Sequence, residues 1–275
     1  MPEVRWPLLV LAAILIAALA LVAWAWIRRT RVRKRLPARH APRLRHPIVL
    51  AHGVLGFDEI AVAGRRHRYF RNIADRLGSL GAEFHHPRVP GTATVAVRAG
   101  RLVELVRDLP GERVNVIAHS MGGLDARYAI ARLGLAERVA SLVTIGAPHR
   151  GTPLAEFSLS RATAKMLRLA ALADLTPQAL ERFNREVPDA AEVAYCSVVG
   201  WTRLSHTNPL LWPTHAYLSV RSGPNDGLVP ASSQRWGKVL REVQADHWAQ
   251  VGWSLGFDAI ALYEEILREL VGLGF

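Results

Sequence analysis

From residue 47 onward, short apolar runs alternate with longer stretches whose apolar residues recur at spacings of three and four. This alternation narrows the folds open to the chain more than any other feature. It predicts strands at 48–51, 83–89, 114–118, 140–145, 193–199, 216–221 and 239–243, and helices at 69–78, 95–109, 122–133 and 259–271. In the last helix Ile260, Tyr263, Ile266, Leu267 and Leu270 share one face, which suits packing on a core. Strands separated by helices pair in parallel, so the expected architecture is a mostly parallel central sheet covered by helices on both faces. A chain of 275 residues, half of them hydrophobic, can bury such a core. Its single cysteine, Cys196, excludes an intramolecular disulfide and leaves no zinc cluster.

Two regions depart from the alternation. Within 152–190, "SRATAKMLRLAALADL" and "TPQALERFNREV" are helical stretches with no strand between them, and Thr176 before Pro177 is a favourable N-cap. The segment is either a plain helical crossover or a cap above the carboxyl ends of the strands, where α/β sheets bind ligands. The second region is the N-terminus. "WPLLVLAAILIAALALVAWAWI", residues 6–27, is uncharged, spans roughly 30 Å as a helix, and carries Trp6, Trp24 and Trp26 near its ends.

A signal peptide would place its positive cluster before a shorter apolar core. Here Arg28, Arg29, Arg31, Arg33, Lys34 and Arg35 follow the run. An uncleaved transmembrane helix is therefore expected at 1–27, then a basic, proline-containing linker at 28–46 and an α/β domain at 47–275. The positive-inside rule puts that domain on the cytoplasmic side; a periplasmic domain, or secretion after cleavage, is the alternative. The net charge of +12 is concentrated in the same place: ten of the 35 basic and one of the 23 acidic residues lie in 1–46, leaving 25 and 22 elsewhere. Basic residues abutting a membrane span argue against nucleic acid as a partner.

The stretch "VNVIAHSMGGLDARY" turns from predicted strand to predicted helix at Ser120. A serine hydroxyl needs a histidine base, a carboxylate to hold that base, and N–H groups aimed at the oxyanion. The usual turn is G-x-S-x-G, because strand and helix backbones approach closely. Gly122 meets that demand, and Ala118 replaces the first glycine at the cost of one methyl. Asp226, in the turn "SGPNDGLVP", and His247, in "VQADHWAQ", follow in the order serine, acid, histidine of α/β-hydrolases. His206 and His215 precede Asp226, and His85 and His86 precede the serine, so they break that order. Asp246 is too close in sequence to turn back on His247. The oxyanion donors expected are the backbone N–H of Met121 and that of Val54, in the glycine-bearing turn after the first strand, with His52 bracing the loop.

"LAHGVLGFD", "AHSMGGLDARY", "SLVTIGAPHRGT", "LTPQALERFN" and "NDGLVP" followed by "DHW" resemble, in order and spacing, the Pseudomonas-type bacterial triacylglycerol lipases from about Pro47 to the C-terminus. The resemblance implies an α/β-hydrolase fold with a helical lid over an acyl-binding cleft and a lipid or ester substrate. It implies the triad Ser120, Asp226 and His247, with Val54 and Met121 as oxyanion donors and no cofactor. The implied enzyme is a serine ester hydrolase; a phospholipase, an acyltransferase or a short-chain carboxylesterase would use the same parts. A non-catalytic anchored domain that binds lipid or protein is the alternative of another class, but such domains normally lose part of the triad.

Three features depart from those lipases: the expected membrane anchor, the absence of a disulfide, and Ala249 and Trp253 where many of them place an aspartate and a glutamine on calcium. No calcium site of that type is expected. Ester hydrolysis should accordingly be unchanged in excess chelator; loss restored by added calcium would contradict this.

Overall fold

The computed structural model describes residues 42–54, 59–62, 65–157, 170–254 and 256–275. The apolar run at 6–27, nearly all of the linker, and the first part of the predicted helix "SRATAKMLRLAALADL" lie outside the described residues. Among those described, no helix is long and apolar enough to cross a membrane.

The sheet is built from β1 (Ile48–Ala51), β4 (Phe84–His85), β5 (Val114–His119), β6 (Val139–Ile145), β7 (Ala194–Trp201) and β8 (Lys238–Gln244). They lie in the order β4-β1-β5-β6-β7-β8, and every neighbouring pair is parallel. A separate antiparallel hairpin, β2 (Glu59–Val62) with β3 (Arg65–Arg68), leaves the chain after β1. Strand alternation divides the core. Ile48, Leu50, Ile117, Val143, Ile145 and Val198 pack under α1 (Ile73–Gly78) and α8 (Ala259–Gly272). Val49, Ala51, Val116, Ala118 and Leu142 face α2 (Val95–Arg107) and α3 (Gly122–Arg132). This two-face burial is what parallel crossovers through helices require.

The chain runs from β1 outward to β4, then crosses back to β5 on the other side of β1. The loops leaving β1 and β5 therefore diverge at a switch point, where open α/β sheets form their crevice. A third cluster covers that end: Val95, Met121 and Leu124 pack with Ala155, Ala171, Leu175 and Leu180 from the 152–190 segment. The described helices there are α4 (Leu154–Phe157), α5 (Ala170–Ala173) and α6 (Pro177–Glu186). Thr176 Oγ1 accepts from Ala179 N at 3.2 Å and caps α6, with Pro177 at its first position.

Two expectations need correction. The strand expected at 83–89 shrinks to Phe84–His85, because Pro87 and Pro90 cannot donate to a ladder. The strand expected at 216–221 is instead helical, within α7 (Trp212–Ser222). The run "AYLSVR" alternates as a strand would, yet burial falls on Leu211, His215 and Leu218, a spacing of four and three, while Val220 is 93% exposed. Proline in the first turn starts the helix, and Gly223, at φ +77, ends it.

That difference is testable. Leu218→Ala should cost about 2–4 kcal/mol in a denaturant titration, whereas Val220→Ala should stay within about 0.5 kcal/mol. Comparable losses at both positions would restore the strand.

Candidate active site

Ser120 stands between β5 and α3 with φ +56, in the left-handed region. A residue with a Cβ pays roughly 1–2 kcal/mol for that conformation, so the surroundings must hold it. Ser120 N donates to Ile145 O of β6 at 2.9 Å, and α3 is anchored by buried Leu124, Ala126, Ala129 and Ile130. Gly122 passes so close to β1 that a Cβ there would lie 2.6 Å from Ala51 O and 2.8 Å from His52 O. No such collision arises at Ala118, whose methyl is buried in the core beside Ala51 and Val116. A Cβ on Gly53 would sit 2.7 Å from Ser120 Cβ and 3.1 Å from its Oγ, so the loop after β1 lies directly against the serine.

The same loop carries Val54, whose side chain packs on the cluster containing Met121. Neither the Met121 N–H nor the Val54 N–H hydrogen-bonds within the described residues. The loop is braced by Arg98, which is fully buried in α2. Its Nη2 donates to His52 O at 2.6 Å, Nη1 to Pro90 O at 2.9 Å, and Nε to Asp125 Oδ2 at 2.8 Å. Burial pushes Asp125 up to about 7, against the opposing pull of Arg98. The expected brace, His52, contacts Gly53 O through Nδ1 at 3.0 Å, and its ring lies 5.7 Å from that of Tyr69.

Asp226 reaches the site from a turn after α7 rather than from a strand end. Asn225 builds the turn: its Oδ1 accepts from Gly227 N at 2.9 Å, and its backbone O accepts from Thr202 N, just beyond β7, at 2.9 Å. The turn is thereby fastened to the carboxyl end of β7. Asp226 is fully buried, and its Oδ2 accepts from His247 Nδ1 at 2.8 Å. A second contact, His247 N to Asp226 O at 2.8 Å, fixes the two loops together. Among the described residues, His247 Nε2 has no hydrogen-bond partner, and Ser120 and His247 are not hydrogen-bonded to each other.

The rival residues are engaged otherwise. Asp246 accepts from Ala249 N at 2.8 Å, Trp248 N at 3.1 Å and Asn208 N at 2.9 Å, so its carboxylate caps a turn. His215 Nε2 contacts Thr202 O at 2.9 Å, His85 contacts Glu83, His86 packs by Phe70, and His206 is exposed. Reasoning from sequence missed Arg98, Tyr69, His119 and Gln250. An arginine on the apolar stripe Val95–Ala99–Leu102 was the available signal for Arg98. The other three gave none, because each matters only through a distant segment. Among the described residues, no group of three His, Cys, Asp or Glu is placed to hold a metal ion.

The chain matches the family described as "Domain of unknown function (DUF7379)" over residues 16–197. It is 28% identical to a triacylglycerol lipase of Vibrio cholerae, over 84% of this chain and 89% of that protein. It is 27% identical to a triacylglycerol lipase of Pseudomonas fragi, over 74% and 86%. Among solved structures it resembles a metagenomic carboxyl esterase, with TM-score 0.75 and 23% identity over 87% of this chain and 79% of that one. This likeness and the parallel, helix-covered sheet fit the α/β-hydrolase fold.

The buried histidines beside the site make stability acid-sensitive. His119 and His149 are fully buried and held well below the usual imidazole range by burial first, then by His247 for His119 and by Arg127 and Arg150 for His149. Below pH of about 6.5 the unfolded chain takes up protons that these two refuse, so each withdraws about 1.4 kcal/mol of stability per pH unit. Carboxyls raised by burial, Asp125 among them, act with the opposite sign, so the histidine part is read by difference. The stability deficit of His149→Gln should shrink by about 1 kcal/mol between pH 6.5 and 5.5 in urea unfolding. A deficit independent of pH would show that His149 titrates normally in the fold.

Proposed function

The chain belongs to the DUF7379 family and is a carboxylic ester hydrolase of the lipase and esterase kind; we propose that it cleaves lipid-like acyl esters through an acyl-enzyme on Ser120. The observation that carries this reading is the buried His247–Asp226 pair, 2.8 Å apart, beside a serine held at φ +56 against the β1 loop. Asp226 accepts the Nδ1 proton of His247, which leaves Nε2 as the base. In the proposed reaction Ser120 Oγ attacks the ester carbonyl as its proton passes to Nε2. Catalytic hydrogen bonds of this kind commonly tighten only when substrate is bound. The Met121 and Val54 N–H groups receive the oxyanion, and His247 returns the proton to the leaving alcohol. Water then repeats the sequence on the acyl-enzyme.

The triacylglycerol lipases to which the chain is similar support lipid or ester substrates. Residues 152–190 would act as the cap: Leu175 and Leu180 belong to the cluster that covers Met121 at the carboxyl ends of the strands. We extend the proposal to the N-terminus, with residues 6–27 as a membrane anchor and the catalytic domain on the cytoplasmic side. Support comes from the length of the apolar run and the arginines after it. Ile48 begins β1 at the end of the sheet opposite the site, so the cleft faces away from the point where the linker enters. Nineteen linker residues at 28–46, fully extended, span at most about 65 Å, enough to carry the cleft round to the bilayer.

A fluorophosphonate probe should label the folded protein and fail on Ser120→Ala. Asp226→Asn should lower kcat by about 10³- to 10⁴-fold with the fold intact. A panel of glycerides, phospholipids and simple esters of graded chain length then assigns the substrate. Failure of the intact protein to label or to hydrolyse any ester would sink the reading. A C-terminal reporter active only outside the cytoplasm would reverse the orientation.

A further inference from the structure

Asp226 is saturated with hydrogen bonds, and one of its partners has no role in the reaction as drawn. Oδ1 accepts from Leu228 N at 3.0 Å and Val229 N at 2.7 Å. Oδ2 accepts from His247 Nδ1 at 2.8 Å and from Gln250 Nε2 at 3.1 Å. Gln250 is fully buried and lies in a slot that only glycines can line. A Cβ on Gly146, just past β6, would sit 2.3 Å from Gln250 Oε1 and 3.2 Å from Asp226 Oδ2. A Cβ on Gly200, in β7, would sit 2.0 Å from Gln250 Nε2. Two adjacent strands thus give up a side chain each where the carboxamide passes.

Beyond Gln250 the polar chain continues. His119, at the end of β5, receives Tyr69 OH at Nδ1 at 2.7 Å, and its ring centroid lies 4.4 Å from that of His247. Among the described residues, neither His119 Nε2 nor Gln250 Oε1 has a hydrogen bond within normal reach, and both are buried. A proton on His119 is favoured by the His247 backbone first and by the Gln250 side chain second. With Tyr69 donating into Nδ1, the neutral imidazole carries its hydrogen on Nε2, for which the His247 carbonyl and Gln250 Oε1 are the acceptors at hand.

We propose that Gln250 is a positioning residue of the hydrolytic reaction: wedged between Gly146 and Gly200, its carboxamide holds the Asp226 carboxylate against His247 Nδ1, with His119 and Tyr69 backing it. The inference rests on the ester-hydrolase reading above. It distinguishes Gln250 from a slot filler by charge. An N–H on Oδ2 draws negative charge away from the face that His247 uses, so removing it makes His247 harder to deprotonate.

Gln250→Met keeps the length of the side chain without a donor, and Gln250→Glu keeps its shape and adds a carboxyl. In both, kcat should fall about tenfold with KM unchanged. The acid limb of kcat/KM should move to higher pH, further in Gln250→Glu because a second carboxyl then faces Asp226. The other groups around the pair, His119, Tyr69 and Asp246, are the same in every variant. In an Asp226→Asn background Gln250→Met should add no further loss, since it acts through the carboxylate. A folded Gln250→Met with wild-type kcat and an unmoved acid limb would overturn the proposal. Where that variant does not fold, Gln250→Glu decides on the same two readouts. Wild type lacking Ser120-dependent turnover overturns the ester-hydrolase reading and this inference with it. Wild-type turnover indifferent to Gln250 overturns the inference alone.

Discussion

The contact between the end of β1 and the turn after β5 governs the rest of the molecule. At that contact a Gly122 without a side chain passes beneath the carbonyls of Ala51 and His52, and Ser120 is driven to φ +56. The crossing exists because the strand order reverses direction on either side of β1, so two loops must leave the sheet side by side. Its strain is offset by the apolar anchoring of α3 and by the Ser120 N–H on Ile145. Because the turn is sharp, the start of the helix and the β1 loop come together at Ser120, where a Cβ on Gly53 would lie 2.7 Å from Ser120 Cβ. The proposed nucleophile and the proposed oxyanion donors would then follow from one packing constraint.

Around this turn the polar residues are organised by what their oxygens and nitrogens have left to give. Asp226 and Asp246 are both buried and both lie near His247, yet they do different work. Asp246 spends its carboxylate on three backbone N–H groups. Asp226 spends Oδ1 in the same way but keeps Oδ2 for His247 and Gln250. Arg98 does for the β1 loop what Gln250 does for Asp226, linking a backbone carbonyl to a buried carboxylate. Farther out, the Arg127 guanidinium lies 3.5 Å over Trp236, donates to Asn184 Oδ1 at 2.8 Å and so ties α6 to the body of the domain. Each of these groups is expensive to bury alone and is tolerated because its partners are preorganised.

Much of the fold was readable because parallel strands buried on both faces are written as short apolar runs, and β1, β5, β6, β7 and β8 fall within one or two residues of them. Glu83–Val89 read too long for want of weight on its prolines. The run at 216–221 misled for a deeper reason: two-residue alternation and helical spacing coincide over six residues, and only packing decides which face is buried. The hairpin Glu59–Val62 with Arg65–Arg68 was not foreseen at all, its charged second strand carrying no apolar periodicity.

By itself the sequence determined the layered parallel fold, the serine at a strand-to-helix turn and the chain order serine, aspartate, histidine. These depend on residues that are neighbours or regularly spaced. The tertiary structure alone decided that the aspartate arrives from a helix end stapled to β7, that Arg98 braces the β1 loop, and that Gln250 passes between two glycines to reach the carboxylate. Those facts join residues from 23 to more than 100 positions apart, such as Thr202 with Asn225 and Gly146 with Gln250. A hydrogen bond or a close approach between distant segments has no period for the sequence to display.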